Sequence, residues 1–430
     1  MNRSAINDGR GLESLSAAMP RAMAPTLAAA LARWSERLLR AELRQIEHGE
    51  ITLVDGERRD TYGRLSERCS LRATLHVRDV RFYAETALGG SVGAGESYMA
   101  GDWWCDDLTA LMRVLLHNRG VVDGVDGGWS RLTGPTRKLL HAAARNTRDG
   151  SRRNIGAHYD VGNDFFALFL DPTMMYSSAV FERPEMTLEQ ASIAKIDRIC
   201  HKLALQPGER VLEIGTGWGG FALRAAGRYG CHVTTTTISR EQHAMARERI
   251  DAAGLGDRIT LLGEDYRDLR GSYDKLVSIE MIEAVGYQYY DTYFRCCSGL
   301  LKPSGLMLLQ AITIADQQYE AARDSVDFIK RHIFPGCCIP SIAAISASVA
   351  QASELRIVGL EDIGAHYATT LAHWRTNLLR NADRARALGH GDAFLRMWEF
   401  YFSYCEGGFA EGALGDAQIV LAKSAMASDG

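Results

Sequence analysis

Apolar side chains recur at helical spacing from about Leu27 to Arg44, and from Ile51 to Val77 they alternate with polar ones around an Asp55-Gly56 turn signal. This predicts a small α+β domain over residues 21–125, continuing through Gly95-Glu96-Ser97-Tyr98-Met99 to a helix at 108–118. From residue 156 to 430 the pattern becomes alternating strand and helix. Strands are predicted at 211–215, 232–238, 258–263, 275–281, 304–313, 355–360 and 417–423. Helices are predicted near 188–204, 219–229, 240–253, 290–300, 319–332, 342–354, 367–387 and 392–405. Repeated βα units imply an α/β domain with a mostly parallel seven-stranded sheet covered on both faces, its ligand at the carboxyl ends of the strands. Residues 1–20 are expected to form a disordered tail. Residues 126–155 read as a basic linker, where seven Lys or Arg stand against one acidic residue between Arg131 and Arg153. A solvated helix face and a contact with lipid phosphates both fit that run.

Composition narrows the classes. Hydrophobic residues make up 46% and charged residues 24%, and the net charge of -4 gives no global attraction to nucleic acid or anionic membrane. The nine cysteines are odd in number and contain no C-x-x-C, which suits neither a disulfide framework nor a zinc site. They are expected to be reduced thiols in a cytoplasmic protein. The twelve histidines show no metal spacing, so no metal is expected.

Chemistry concentrates at Val211-Leu212-Glu213-Ile214-Gly215-Thr216-Gly217-Trp218-Gly219-Gly220, an apolar strand running into a glycine turn and then a helix. Gly215, Gly217 and Gly219 allow a sharp turn and close approach of a nucleotide-like ligand. A tight turn without a ligand has the same glycines, but Glu213 and the preceding Pro207-Gly208 turn resemble the first motif of S-adenosylmethionine (SAM) methyltransferases.

Further segments extend the resemblance over nearly the whole chain: His158–Phe166, Met175-Tyr176-Ser177-Ser178-Ala179, Thr237-Ile238-Ser239-Arg240-Glu241-Gln242, Met281-Ile282-Glu283-Ala284-Val285-Gly286 and Ile333-Phe334-Pro335-Gly336. Together they resemble the cyclopropane-fatty-acid synthase family of SAM-dependent methyltransferases. The resemblance implies a Rossmann-like catalytic domain, and an N-terminal domain similar to that of the full-length enzymes. It implies that Thr237 and Gln242 contact the nucleoside, that Asp265 and Tyr266 flank the adenine, and that Tyr176 and Ser177 close over the methionine end.

The implied reaction adds the SAM methyl carbon to the cis double bond of an unsaturated phospholipid acyl chain at the membrane surface. An alkene is a weak nucleophile, so it must be held near the sulfonium methyl in a dry site. The resulting carbocation must lose a proton before water or a hydride shift intervenes. In the family the base is understood to be a bound bicarbonate. Glu283, a carboxylate in an otherwise apolar turn after a strand, is the first candidate to hold it, and Tyr367 matches a family tyrosine at the same anion. Many members carry cysteine at Ser178 and histidine at Ala284 and Gln310. A glutamine cannot relay a proton near neutral pH, and a branch of the family that leaves a methylene or methyl group also carries glutamine there. A cyclopropane is the expected product, with a methylene or methyl branch from the same carbocation as the alternative, and small-amine methylation and a SAM- and lipid-binding module without turnover as more distant readings. A second copy of the chain, as a homodimer, is the protein partner expected, and no nucleic acid is. The apolar stretches 165–170 and 397–402 fit an acyl tunnel or plain core.

Overall fold

The computed structural model describes residues 25–127 and 161–424. The expected tail at 1–20 and nearly all of the basic linker at 126–155 lie outside them, as does the start of the His158–Phe166 segment. In the N-terminal part, the alternating run folds as β1 (Gly49–Asp55), β2 (Arg58–Arg64) and β3 (Arg72–Val77), joined by β4 (Trp103–Cys105) in the order β2-β1-β3-β4. Gly56 takes the positive φ of 59° that the β1–β2 turn requires. Ile51 and Leu53 point into the core between this sheet and the helices Pro25–Leu43 and Leu108–His117.

A helix at Arg81–Ala100 is the element that periodicity did not reveal. Its apolar and small residues are spread round the axis and many are buried, because it packs on both the N-terminal domain and the catalytic domain. Gly89-Gly90-Ser91-Val92-Gly93 inside it fits the G-x-S-x-G pattern of a hydrolase nucleophile, a match the sequence reading passed over. The stretch lies in a kinked helix rather than a strand-to-helix turn, and Ser91 Oγ donates to Asp126.

In the catalytic domain all seven predicted strands form: β5 (Arg210–Ile214), β6 (His232–Thr236), β7 (Ile259–Leu262), β8 (Tyr273–Ile279), β9 (Leu301–Ile314), β10 (Leu355–Asp362) and β11 (Leu414–Lys423). They make one sheet in the order β10-β11-β9-β8-β5-β6-β7, in which β11 runs antiparallel to both neighbours and the pairs from β9 to β7 are parallel. Val211, Leu212, Leu276 and Val277 are fully buried, as a central strand covered on both faces demands. The result is a Rossmann-like methyltransferase fold with a smaller α+β domain before it.

Two predicted helices are broken. In place of 319–332, a helix Asp316–Asp324 stops and a π-helical turn follows at Ile329–Ile333. The buried Lys330 donates its ammonium to the terminal carbonyls of Ala322 and Ser325, and Asp327 accepts from Lys330 N–H, so the chain satisfies its backbone without continuing the helix. The predicted 367–387 helix divides into Gly364–Arg380 and Ala382–Ala387 at Asn381, whose amide donates to the Leu168 and Asn377 carbonyls.

The long helix Asp392–Ala410 fastens the two domains together. Glu399 accepts from Tyr98 Oη at 2.9 Å, and Glu406 accepts from Thr109 Oγ1 at 3.2 Å. Just past the helix, Glu411 accepts from Arg113 Nε at 2.6 Å. Within the 81–100 helix, a Cβ on Gly93 would lie 2.0 Å from the Glu85 carbonyl oxygen, whereas one on Gly120 would meet nothing within 4 Å. Gly93→Ala is therefore expected to destabilise the protein by about 1–3 kcal/mol, and Gly120→Ala to be neutral or mildly stabilising. Calorimetric Tm values of the two variants check this.

Candidate active site

Beyond the carboxyl end of β5 the chain turns through Gly215, Gly217 and Gly219 at φ of 102°, 52° and 87°. Such angles suit glycine, and a Cβ on Gly217 would stand in open space, so the turn leaves room for a ligand against bare backbone. Gly215 N–H and Thr216 N–H donate to the Thr236 carbonyl, which holds the turn against β6. Arg249 clamps it from outside, donating to the Trp218 and Thr173 carbonyls. Gly219 does not face the cavity and instead starts the helix Gly220–Tyr229. Gly220, which the sequence reading did not single out, lets Met175 approach: a Cβ there would sit 2.6 Å from the Met175 sulfur.

The turn opens into a cavity of about 1000 Å³ that Tyr176, Ser177, Glu213, Gly215, Gly217, Thr237, Gln242, Asp265 and Tyr266 all line. Thr237 Oγ1 donates to Gln242 Oε1 at 2.9 Å, so these two act as one unit. Asp265 is held in a fork by Arg267 at 2.8 and 2.6 Å, which fixes the carboxylate within its own turn, and the Tyr266 ring meets Tyr293 edge to face. Glu213 accepts from Thr235 Oγ1 at 2.6 Å, and burial pushes its carboxyl up to about 8 against the opposing pull of that bond and of Lys195. A glycine turn, a threonine–glutamine pair and an aromatic-acidic turn around one cavity fit a nucleoside sulfonium.

The cavity continues past this end into apolar surroundings. Phe400 and Tyr401 line it, whereas Phe165, Phe166 and Phe169 are fully buried core, so only the second of the two apolar stretches reaches the cavity. Phe328 and Ile329 extend the apolar wall, and Leu39, Leu43 and Ile51 bring it to the N-terminal domain.

The remaining predicted residues converge on a group the sequence reading missed. Ser178 N–H donates to Glu280 Oε1 at 2.8 Å, Gln310 Nε2 donates to the same oxygen at 2.8 Å, and Tyr367 Oη donates to Oε2 at 2.7 Å. Ser178 Oγ turns away to the Ala179 carbonyl, so the backbone supplies the donor and serine in place of cysteine changes nothing there. Glu283 does not join this cluster. Its Oε1 accepts from Ile312 N–H at 2.6 Å and its Oε2 is buried with no hydrogen-bond partner among the described residues. Burial, reinforced by the neighbouring Glu280, pushes the Glu283 carboxyl up to about 8. Glu280 was legible by the same signal that singled out Glu283, an acidic residue at the carboxyl end of an apolar strand, one position after β8.

Residues 146–419 match the family model described as mycolic acid cyclopropane synthetase. The tuberculostearic acid methyltransferase UfaA1 of Mycobacterium tuberculosis is 42% identical over 339 residues, 77% of this chain and 79% of that protein. The cyclopropane-fatty-acyl-phospholipid synthase of Escherichia coli K12 is 38% identical over 359 residues, 82% and 89% of the two chains. Among solved structures, the cyclopropane synthase MmaA2 of Mycobacterium tuberculosis superposes with a TM-score of 0.59 at 33% identity, covering 63% of this chain and 98% of that one.

The buried Glu283 carboxyl makes a pH test. Its proton is held to about 8 in the folded protein but released near the ordinary 4.5 once unfolded. The folded state thus binds more protons across that window, and the stability this group confers at low pH is lost as pH rises through it. Glu283→Gln keeps an acceptor for Ile312 N–H without the charge. Its Tm relative to wild type is expected to climb from pH 5 to pH 8 and to level off above; a difference independent of pH would refute the assignment.

Proposed function

The chain belongs to the mycolic acid cyclopropane synthetase family, and from that premise we propose that it adds the methyl carbon of SAM to the cis double bond of an unsaturated phospholipid acyl chain, closing a cyclopropane. As a family member it is a SAM-dependent methyltransferase of the cyclopropane synthase type, acting on unsaturated fatty acyl chains. The observation that supports the finer reading is the continuity of one cavity from the glycine turn to the apolar wall at Phe328 and Phe400. A nucleoside at one end and a hydrocarbon chain at the other would meet beside Glu280, Glu283 and Tyr367, all of which line it. The name of the Escherichia coli relative supports a phospholipid substrate. Among the described residues no helix is long and apolar enough to cross a membrane; the proposed place of action is the cytoplasmic face of the bilayer, where the phospholipid substrate lies.

SAM supplies an electrophilic methyl group, and this chain's residues do the rest. In the proposed roles the bare backbone at Gly215 and Gly217, with Glu213, Thr237, Gln242, Asp265 and Tyr266, seats the cofactor, and Tyr176 and Ser177 close its methionine end. The apolar wall strips water from the acyl chain, and this protects the carbocation. Tyr367, Gln310 and the Ser178 amide fix the Glu280 carboxylate, while Glu283 brings a second carboxyl to the same wall.

A second reading, an exocyclic methylene, is favoured by Gln310. Its two N–H bonds go to Glu280 and Asp416 and its oxygen accepts from Gln418, which leaves a fixed neutral amide where a titratable ring is common. Both products lose a proton from the added methyl; the methylene arises when a hydride shifts to the cationic carbon first. Purified protein, SAM and vesicles of a monounsaturated phospholipid are expected to give a fatty acid one CH2 heavier with strongly shielded ring protons by NMR. Olefinic =CH2 signals at the same mass would establish the second reading, and an unchanged mass would refute both.

A further inference from the structure

Besides Glu283, the family resemblance places Tyr367 at a bound bicarbonate, and Ser178 and Gln310 stand where many members carry cysteine and histidine. Here their donors end on a carboxylate of the chain itself. Glu280 receives Ser178 N–H and Gln310 Nε2 on one oxygen and Tyr367 Oη on the other, at 2.7–2.8 Å. It is half-buried and lines the cavity. Its backbone is held at φ 48°, a left-handed conformation unusual for a residue other than glycine or asparagine, with its N–H donating to the Gln310 carbonyl at 2.8 Å. Strain of this kind persists where the surroundings over-determine it, and it gathers at functional sites. The side-chain and backbone bonds to one residue, Gln310, are what over-determine it here.

We propose that Glu280 is the proton acceptor of the reaction, a carboxylate built into the chain in the seat assigned to bicarbonate, so that turnover needs no added anion. The proposal rests on the methyl-transfer reading above. A free anion does not fit this seat. It would have to displace Glu280 from three hydrogen bonds and leave a buried carboxylate unpaired, beside Glu283 and Asp416, with Lys195 as the nearby ammonium. Burial raises the proton affinity of Glu280, opposed by Lys195 and the three donors, which suits a base better than an exposed carboxylate would.

The step balances without a further reactant. The alkene π pair forms the bond to the methyl carbon as the carbon–sulfur bond breaks, leaving a cation on the other alkene carbon. A Glu280 oxygen then takes a proton from the added methyl. The released C–H pair forms the third side of the ring, or the methylene double bond if a hydride has shifted first. Glu280 is left as a neutral acid and gives its proton to water when the cavity opens for product release.

The test compares wild type, Glu280→Gln and Glu280→Gly in carbon-dioxide-free buffer and with added 13C-bicarbonate, after melting curves confirm folding. Wild type is expected to turn over equally in both buffers and to show no bound 13C signal by NMR. Glu280→Gln should lose about 100-fold or more in kcat, with SAM affinity within twofold and no rescue by bicarbonate, because the amide fills the seat. Glu280→Gly, which relieves the backbone strain and empties the seat, should bind 13C-bicarbonate and recover turnover with it. Bicarbonate binding to wild type, bicarbonate-dependent turnover of wild type, full turnover in Glu280→Gln, or a folded Glu280→Gly that neither binds nor uses bicarbonate would overturn the proposal. Failure of the methyl-transfer reading looks different: wild type then makes no product in either buffer, while the 13C comparison still decides whether Glu280 fills the seat.

Discussion

One buried ammonium holds the site together. Lys195 is wholly inaccessible, donates to Ser177 Oγ at 2.7 Å, and lies within the influence of Glu280, Asp416, Asp171 and Glu213. Burial pulls it down to about 8, and those carboxylates oppose the pull, so it remains mostly charged at neutral pH. Breaking a buried charge cluster by removing one partner typically costs about 3–5 kcal/mol, because the partners are left uncompensated. The loop at Ser177 and the Glu280 cluster therefore lie beside one and the same ammonium.

That sharing explains why adjacent residues divide their work. Ser177 turns its hydroxyl to Lys195, Ser178 turns its backbone N–H to Glu280, and Ala179 N–H reaches Thr370 on the helix Gly364–Arg380. Three consecutive residues thus tie the loop to the ammonium, to the carboxylate and to the helix that carries Tyr367. A loop fastened at successive residues has little freedom, which a site that must exclude water needs.

The parallel sheet and the glycine turn were legible because each rests on local pattern: buried strands read as apolar runs, and a turn with positive φ needs glycine. Tyr176, Thr237, Gln242, Asp265 and Tyr266 were named by the family resemblance and not by local pattern, and all five line one cavity. What stayed hidden depends on partners distant in sequence. Lys195 reads as an ordinary polar residue of an amphipathic helix, and only the fold brings it beneath the sheet. Glu280 lost to Glu283 because both are acidic residues after the same strand. Their difference lies in a backbone angle and in donors 102, 30 and 87 residues away. The Arg81–Ala100 helix was missed for a related reason: a helix buried on several sides has no amphipathic stripe to read.

A base fixed to the backbone changes what decides the product. A bound anion can adjust to the cation, but Glu280 is held at the end of β8 by its own φ and by Gln310, so its reach is constant and the substrate must come to it. Ring closure and methylene formation differ only in whether a hydride shift precedes proton loss. The deciding quantity is therefore where the cavity holds the added methyl relative to a Glu280 oxygen. The far end of that cavity is walled by Phe328 and Phe400, with ring centroids 4.6 Å apart, and by Leu39, Leu43 and Ile51 of the N-terminal domain. The small N-terminal domain walls the same cavity, and the bonds of Tyr98 to Glu399 and of Arg113 to Glu411 hold it there.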